Sequence, residues 1–400
     1  MEVEVRPAKE DEMEQFLHVA SNALVMKPSS FVGMRPEFTL CAFENGKLAT
    51  SYATWPLTMR FNGDGVPVAA VTTVGTLPIY RRRGYLRKIT ATHFKLLHEE
   101  GERPIAILWA SWATIYQRYG YAVVSTQHFY NVEPQYLAFS SPQPVTGSFR
   151  ELGNDDFPLL VDLYRKFRAE RTGYLHRGRE MWNANALAPP PANGQLNKIV
   201  YEEDGEPLGY VIYTVEHVPS KGGPGAGNRL AIRDLIWLTA SAYRAIWCHF
   251  ANMDIIGNIR WERIPSDDPL PHLLLEPRML RITSSDGILG RIVDVGRALP
   301  QRQYDEEGTL IFEIVGDDLC PWNCGRWRLE ASADKSSISR AADEPQLVMP
   351  ISTLAMLLFG QISATEAAHM GRLDICEDGA LPLWDRVMHT KYKTACADIF

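Results

Sequence analysis

The sequence predicts a mixed α/β and α+β protein built from three consecutive units. Three observations support this prediction. A strand, a basic turn and a helix follow one another directly between residues 71 and 97. The same order of elements, without the basic turn, returns between residues 148 and 284. From residue 285 onward, half-exposed strands come first and helices follow, which is typical of an α+β layer.

The first unit is predicted to span residues 1–147. A strand end at Arg6 runs into an amphipathic helix whose first turn is acidic, as the helix dipole favours. A hairpin is predicted to turn at Asn45-Gly46, since these two residues tolerate the left-handed backbone of a tight turn. The polar, proline-rich segment 140–148 is predicted to link this unit to the next.

The strand, turn and helix of residues 71–97 are the most informative part of the first unit. Val71–Val74 favours extended backbone, and Pro78 ends the strand because it has no amide hydrogen to donate. Three arginines lead to Gly84, and a helix with one apolar face follows. Free amides at a helix start, a glycine and nearby arginines are suited to binding phosphate. An ordinary basic surface turn is the alternative interpretation.

The glycine pattern narrows the class of phosphate site. Neither the nucleotide-hydrolase loop G-x-x-x-x-G-K-[ST] nor the dinucleotide pattern G-x-G-x-x-G is present. With its Arg-x-x-Gly-x-x turn after a short strand, the segment resembles the pyrophosphate-binding turn of the GNAT superfamily of N-acetyltransferases, which hold acetyl-coenzyme A. A second similarity to that family follows, where the apolar run 104–110 precedes Tyr116 and the turn Gly120-Tyr121.

This resemblance implies how acetyl-coenzyme A is held. The pantetheine arm lies in a gap between the two strands, the backbone amides of residues 74–76 polarise the thioester carbonyl, and the hydroxyl of Tyr116 faces the sulfur. Arg81 and Gly84 match the family's turn, whereas Leu86 is larger than the glycine or alanine common there. The residues assigned to acetyl-coenzyme A by the resemblance are Val74, Gly75, Thr76, Arg81, Arg82, Arg83, Gly84, Tyr85, Leu86, Arg87 and Ser111.

The second unit, residues 148–284, repeats the first in its order of elements. After the strand that begins at Ile232, however, there is no Arg-x-x-Gly turn, and no glycine lets backbone amides close on a diphosphate. We interpret this unit as a degenerate GNAT-like fold, and we expect it to shape a substrate pocket or an interface. Its predicted elements are helices over 157–168 and 241–251 and strands over 198–203, 208–215 and 232–238.

The third unit, residues 285–400, resembles a different family domain. Its strands and helices, with Asp-Asp-x-Cys-Pro-Trp-Asn-x-Gly at 317–325 between them, are similar to the sterol-carrier-like domain that ends the Eis family (enhanced intracellular survival proteins) of GNAT acetyltransferases. The resemblance then covers essentially the whole chain; Ser266–Leu274 strengthens it, and the Eis family tolerates leucine at the position of Leu86. The predicted elements are strands over 289–299, 309–315 and 325–330 and helices over 350–360 and 363–371.

Composition excludes several classes of function. The 400 residues are 46% hydrophobic, enough for two or three cores, and the net charge of −7 argues against a general nucleic-acid binder. No apolar run reaches membrane-spanning length, and the first residues lack the pattern of a secretory signal. The six cysteines form neither a disulfide framework nor a zinc-site pattern. We therefore expect a cytoplasmic protein without a bound metal.

Tyr116 is the candidate general acid. Acetyl transfer to an amine needs a neutral acceptor, a polarised carbonyl and a proton for the departing thiolate. A phenol near its normal pKa holds a proton at neutral pH and can deliver it. In the alternative interpretation, Tyr116 is a core aromatic residue whose hydroxyl is satisfied locally. Tyr119 and Tyr121 are interpreted as packing residues, although either serves as the acid if the register differs.

The candidate general base comes from the resemblance. In the Eis family the terminal carboxylate of the chain accepts the proton of the amine, which assigns this role to Phe400. Burial of an apolar last residue would raise the pKa of that carboxylate above its ordinary value of about 3.5, and a frayed terminus is the alternative. We also expect Asp398 to attract cationic amines. Candidate pocket walls, which sequence alone does not separate from core residues, are Phe16, Met26, Phe31 and Phe38.

The favoured hypothesis is an acetyl-coenzyme A-dependent N-acetyltransferase that acts by direct attack in a ternary complex on primary amines of a cationic small molecule. The resemblance implies acceptors such as aminoglycosides, polyamine-like amines or lysine side chains, and a homohexamer. A second hypothesis is a lipid- or sterol-binding carrier whose first unit only senses coenzyme A. A third is a scaffold whose repeated folds serve assembly, against which the motifs of the first unit argue.

Overall fold

The computed structural model describes residues 3–31, 33–220, 222 and 225–400. Its strands are β1 (Val3–Arg6), β2 (Cys41–Glu44), β3 (Lys47–Phe61), β4 (Asp64–Thr76), β5 (Ile105–Trp109), β6 (Ala122–Val123), β7 (Thr126–Val132), β8 (Ser148–Glu151), β9 (Gly194–Glu203), β10 (Glu206–His217), β11 (Asn228–Trp237), β12 (Asn258–Pro265), β13 (Thr283–Asp286), β14 (Ile288–Ile292), β15 (Gly308–Val315), β16 (Gly325–Ala331), β17 (Ser337–Arg340), β18 (Leu347–Pro350) and β19 (Asp374–Ile375). Its α-helices are α1 (Met13–Leu24), α2 (Tyr85–Glu100), α3 (Ala113–Gln117), α4 (Phe157–Arg168), α5 (Arg179–Ala184), α6 (Ala240–Ala251), α7 (Val295–Ala298), α8 (Ile351–Leu358), α9 (Ala364–His369) and α10 (Ala380–Val387).

These elements form two compact units. One contains the residues up to Val124, together with Ile288–Thr390 and Phe400; the other contains Ser125–Gly287 and Lys391–Ile399. Over the described ranges, no helix has both the length and the apolar character that crossing a bilayer requires. The predicted boundaries at 147 and 284 remain predictions.

The first sheet has the strand order β1-β2-β3-β4-β5-β14-β6, and we call it, with α1 to α3, the first module. Neighbouring strands from β1 to β4 are antiparallel, whereas β4 and β5 are parallel. Both faces are buried, since Phe43 packs under α1 with Phe16 while Ala42 packs on the opposite face with Ile89 of α2. The predicted strand, turn and helix of residues 71–97 are therefore confirmed as β4, a turn and α2.

The second sheet, with α4 to α6, forms the second module and has the same plan. Its order is β13-β7-β12-β11-β10-β9-β8, and β11 and β12 are its parallel pair. β7 follows β6 directly in the chain but lies in the second sheet, and β14 follows β13 but lies in the first. The chain therefore passes from the first sheet to the second after β6 and returns to the first sheet after β13. The predicted helix over 157–168 coincides with α4.

The third sheet, β17-β16-β15-β18-β19, carries α8 to α10 and is the predicted α+β layer. One predicted strand differs. Residues 289–299 form β14 and then α7, because the side chain of Asp294 accepts a hydrogen bond from the backbone N–H of Arg297 and starts a helix. The 317–325 motif holds β14 in place, since Asn323 and Trp322 each donate a hydrogen bond to the backbone oxygen of Val293.

Candidate active site

β4 and β5 run side by side over only part of their length. The last of their parallel pairs joins Val71 and Leu108. β4 continues from Thr72 to Thr76 and has no further pair in β5 within the described residues. That edge of β4 is consequently available to an extended ligand in the gap between the strands. The gap is the one that the sequence predicts.

A bulge in β4 lies beside this gap. The register against β3 shifts between the pair Ser51–Gly75 and the pair Ala53–Thr72, so β4 carries an extra residue there. Thr73 takes a left-handed backbone conformation, with a φ of 51°. A bulge turns backbone groups away from the regular ladder. The residues predicted to polarise the carbonyl follow at the end of the strand: Val74, Gly75 and Thr76.

The start of α2 is open. Gly84 precedes the helix with a φ of 80°, and a Cβ built on it would meet no atom within 4 Å. Gly84 offers no side-chain cap, so the amides of the first turn point outward at the positive end of the helix dipole. Arg81, Arg82 and Arg87 are exposed around it. This arrangement fits a diphosphate group.

Arg83 is placed differently from the other two arginines of the turn. Its guanidinium donates to both carboxylate oxygens of Glu44, at 2.8 Å each, and to the backbone oxygen of Ile79 at 2.9 Å. Tyr85 donates its hydroxyl hydrogen to the same carboxylate. Glu44 on β2 therefore anchors the turn through Arg83 and Tyr85, a contact that the sequence pattern did not indicate.

Two further predicted residues follow the two strands of the gap in the chain. Leu86, in the first turn of α2, is half-buried and packs against the core of the first module. Ser111 is exposed just after the end of β5. Their assignment to acetyl-coenzyme A remains a prediction.

Tyr116 lies on the short helix α3 that follows β5. Its ring meets the ring of Tyr121 edge to face, with centroids 5.9 Å apart. Burial, with a smaller contribution from Tyr119, raises the pKa of the Tyr116 phenol to about 12. The side chain therefore keeps its proton at neutral pH, as a general acid must.

The turn after Tyr116 rests on a residue that sequence reasoning missed. A Cβ on Gly120, whose φ is 82°, would lie 2.9 Å from the guanidinium of Arg291. Arg291 on β14 is fully buried and is paired with Asp317 at 2.6 Å. The 317–325 motif of the third unit thus supports the turn behind Tyr116. Only the acidic start of that motif could have indicated a buried cationic partner.

Phe400 is the second predicted catalytic residue, and it lies at the gap. The hydroxyl of Thr72 donates to the main-chain oxygen of Phe400 at 3.2 Å. Thr72 directly follows the last residue of β4 that pairs with β5. The expectation for Asp398 is wrong, because its carboxylate is buried and paired with Arg177 at 2.8 Å. A buried carboxylate that is held by an arginine is not accessible to a soluble amine.

The candidate pocket walls separate in the structure. Phe16 is fully buried in the core, and Met26 is exposed. Phe31 lines a cavity of about 330 Å³ next to α1, together with Met13 and Met34. Phe38 packs on Trp55, with ring centroids 4.9 Å apart. None of the residues around this cavity is among those predicted to bind acetyl-coenzyme A or to catalyse, so we do not assign it to the acceptor.

Family models match three stretches of the chain. Residues 4–124 and residues 173–292 each match an acetyltransferase (GNAT) domain, and residues 295–397 match a sterol carrier protein domain. The two acetyltransferase matches together cover more than half of the chain. The predicted fold class, tandem GNAT folds followed by a sterol-carrier-like domain, is thereby confirmed.

Whole-chain comparisons agree. The chain is 29% identical over 420 residues to an uncharacterised N-acetyltransferase of Streptomyces avermitilis. The alignment covers 100% of this chain and 99% of that relative. It is 27% identical over 324 residues to the N-acetyltransferase Eis of Mycobacterium tuberculosis, covering 77% of this chain and 74% of Eis. The crystal structure of Eis1 from Mycobacterium abscessus matches with a TM-score of 0.82 and 26% identity, over 99% of this chain and 100% of Eis1.

Proposed function

Because the chain belongs to the Eis-like N-acetyltransferases of the GNAT superfamily, we propose that its first module transfers the acetyl group of acetyl-coenzyme A to a primary amine of a cationic small molecule. The observation that carries this proposal is the gap beyond Val71 and Leu108, with the open start of α2 after β4 and Phe400 bonded to Thr72. The residues proposed for the donor site and Phe400, the proposed proton acceptor, belong to one compact unit.

The donor is proposed to bind along β4. Its diphosphate accepts hydrogen bonds from the first-turn amides of α2 and from the exposed arginines Arg81, Arg82 and Arg87, while Gly84 allows the close approach. The pantetheine arm enters the gap, and the amides at the end of β4 bond to the thioester carbonyl. Hydrogen bonds aimed at the oxygen that gains charge lower the barrier to attack.

The chemistry needs three proton transfers. The α-carboxylate of Phe400 accepts a proton from the ammonium group of the acceptor, and the neutral amine attacks the thioester carbon. A carbon–nitrogen bond forms, the carbon–sulfur bond breaks, and Tyr116 donates its proton to the departing thiolate. The nitrogen of the new amide then loses its second proton to the tyrosinate, which restores the phenol. A phenol with a pKa of about 12 is a weak acid, but the same burial raises the pKa of the thiolate and reduces the mismatch.

The acceptor class, the oligomeric state and the location of the protein are proposed from the family resemblance. The acceptor is an aminoglycoside, a polyamine-like amine or a lysine-type amine, and the negative net charge of −7 favours the approach of such cations. We also propose a homohexamer in the cytoplasm, and coenzyme A chemistry without a metal.

Thiol release tests the function directly. Protein, acetyl-coenzyme A and a panel of amines are mixed with a thiol reagent, and amine-dependent release is expected. Retained binding of acetyl-coenzyme A without release for any amine would instead favour the carrier hypothesis.

Two matched pairs of variants test the catalytic roles. Tyr116→Phe should lower kcat about 100-fold with little change in acetyl-coenzyme A affinity, whereas Tyr119→Phe should not. Adding two glycines after Phe400 moves the carboxylate and should lower kcat strongly. Phe400→Leu is the matched control, because it keeps an apolar last residue that bears the carboxylate. Full activity of the extended chain would refute the role of the carboxylate.

A further inference from the structure

The second module opens the same gap as the first. Its parallel strands β11 and β12 form their last pair between Ile232 and Trp261. β11 then carries a bulge, because its register against β10 shifts between Ile232 and Asp234. In β12, Arg263 takes a left-handed backbone conformation with a φ of 55°. The gap of the second module therefore has irregular backbone on both of its strands.

Arg263 on β12 binds the last residues of the chain directly, and Asp234 on β11 does so through Arg177. The guanidinium of Arg263 donates from Nε to the backbone oxygen of Ala397 at 2.9 Å. On the other strand, Asp234 is paired with Arg177 at 2.6 Å, and Arg177 is in turn paired with Asp398 at 2.8 Å. The side chains of these three ion-paired residues are at most 4% exposed. Such a buried charge set is stable only when each charge keeps its partners.

Asn185 holds the next residue in a fixed orientation. Its amide group accepts a hydrogen bond from the backbone N–H of Ile399 at 2.8 Å and donates one to the backbone oxygen of the same residue at 3.1 Å. Both backbone groups of Ile399 are thus bonded to one side chain. The residue after it is Phe400.

The preceding residues of the chain end are also bound within this unit. The backbone N–H of Lys393 donates to Asp267 at 2.8 Å, and that of Ala395 donates to the backbone oxygen of Thr172 at 3.1 Å. A Cβ on Gly173 would lie 2.4 Å from the backbone oxygen of Ala395, so the contact is too close for any larger residue. Arg171 lies over the ring of Tyr392 at 3.8 Å.

We propose that the second module acts as a holder for residues 391–399, the tail, and that Arg177, Asn185 and Arg263 are positioning residues for the carboxylate of Phe400. The gap that receives the donor in the first module receives the protein's own chain end in the second. This inference rests on the proposed function, in which Phe400 is the general base. It gives the module without a phosphate-binding turn a task in the same reaction.

The physical reason is the precision that proton transfer requires. A general base must lie within hydrogen-bond reach of the proton that it removes, and small displacements lower the rate strongly. A chain terminus is ordinarily mobile unless it is tied down. The bonds to Ala397, Asp398 and Ile399 therefore restrict the position of Phe400 through the covalent chain.

Asn185→Ala is the primary test, because this partly exposed side chain can be removed without leaving a buried charge. We expect kcat to fall about tenfold or more, with KM for acetyl-coenzyme A unchanged within about twofold. Asn183→Ala, at an exposed position of α5 two residues before Asn185, is the matched control and should behave as the wild type. Arg263→Ala should resemble Asn185→Ala, and Arg263→Lys should restore part of the activity, since a lysine can still donate to Ala397.

The split between kcat and KM separates positioning from a general structural role. A displaced base slows proton removal and lowers kcat, whereas the proposed donor site on β4 and α2 is untouched, so KM for acetyl-coenzyme A should not change. A lower kcat accompanied by a higher KM and a lower melting temperature would overturn the proposal.

A double variant distinguishes failure of this inference from failure of the proposed function. Asn185→Ala is combined with the two-glycine extension after Phe400. If the tail positions the base, the extension alone removes nearly all of the contribution of the base to kcat. Asn185→Ala then lowers kcat little further. If the extension abolishes activity while Asn185→Ala and Arg263→Ala are fully active, the holder is refuted and the base stands. If the extended chain is fully active, the base itself is refuted.

Discussion

The first and second modules share a fold but differ at one helix start. In the first, β4 leads through a turn with exposed arginines to α2, and Gly84 leaves the first amides of that helix free of a side-chain cap. In the second, β11 leads almost directly to α6, where the hydroxyl oxygen of Thr239 accepts a hydrogen bond from the backbone N–H of Ala242 at 3.2 Å. One helix start is open to an anion, and the other is satisfied by its own chain.

Charge adds to this difference. At the start of α6, Ser241 donates to the carboxylate of Glu203 at 3.0 Å. A carboxylate at this position is attracted to the helix dipole, and it repels a diphosphate. The start of α6 thus differs from that of α2 by a cap and an acidic neighbour, while the order of the strands is the same in both sheets.

Gly84→Val is expected to have the largest effect on affinity for acetyl-coenzyme A. An L-residue at a φ of 80° costs roughly 1–2 kcal/mol, and its side chain would stand where the diphosphate is proposed. Affinity for acetyl-coenzyme A should fall about 100-fold by calorimetry. Gly205→Val is the control, because Gly205 in the β9–β10 turn has a φ of 82° and equally open surroundings. Both variants should lose similar free energy of unfolding. Equal affinities of the two variants for acetyl-coenzyme A would contradict the proposal that the start of α2 binds the diphosphate.

Removal of one arginine should give a smaller effect. Arg82→Ala should weaken acetyl-coenzyme A binding about tenfold, since a charge-assisted hydrogen bond contributes about 1.5–3 kcal/mol, and should make the binding less sensitive to salt. Arg244→Ala, in the first turns of α6, is the counterpart in the second module and should leave binding unchanged. A loss of affinity in Arg244→Ala would mean that the second module also binds the donor.

The two modules should respond to pH with opposite signs. In the first, burial lowers the pKa of His93, which is bonded to the Tyr52 hydroxyl, from 6.5 to about 4. The unfolded chain then binds more protons than the folded one, so stability is lost as pH falls from about 6.5 toward 4. In the second, burial raises the pKa of Asp268 from 3.8 to about 7. The folded state there holds the extra proton, so stability is lost as pH rises from about 4 to 7.

Hydrogen exchange, corrected for the intrinsic rate, measures this contrast. Between pH 7 and pH 5, protection should fall around His93 and rise around Asp268, by at most about 1.4 kcal/mol per pH unit for one proton. Asp268→Asn, which removes the titrating group, should flatten only the second response. Parallel changes in both modules would show that other groups dominate.

Removing the cap of α6 is expected to give the smallest effect. Thr239→Ala should lower the free energy of unfolding by about 1 kcal/mol, and Thr239→Ser should restore it. Binding of acetyl-coenzyme A should keep its stoichiometry of one per chain, because the arginines and the glycine of the first module are still missing. A second equivalent bound by Thr239→Ala would show that the cap alone separates the two modules.

Local patterns predicted much of the fold. The helix over 157–168 was predictable because its apolar residues recur at helical spacing and basic residues lie in its last turn. The strand over 289–299 was predicted too long, since the cap at Asp294 outweighs the β-branched residues beside it. The placement of β7 in the second sheet and of β14 in the first was not predictable, because pairing between distant strands leaves no local signal.

The candidate site divides in the same way. Tyr116 and Gly84 were predicted from motifs in which neighbouring residues carry the chemistry. Glu44, Arg291 and Thr72 were missed, because each acts through a partner that is far away in the chain. A single acidic, basic or hydroxyl residue has no recognisable pattern until its partner is known.

By itself, the sequence determined the strand–turn–helix order of each module and the presence of an Arg-x-x-Gly turn in only one of them, because these properties depend on residues within a few positions of one another. Only the tertiary structure decided that Arg83 anchors its turn, that Asp398 is buried and paired with Arg177, and that Phe400 meets Thr72. The physical reason is that a side chain's charge and exposure depend on which distant elements pack around it, and packing is a property of the whole fold.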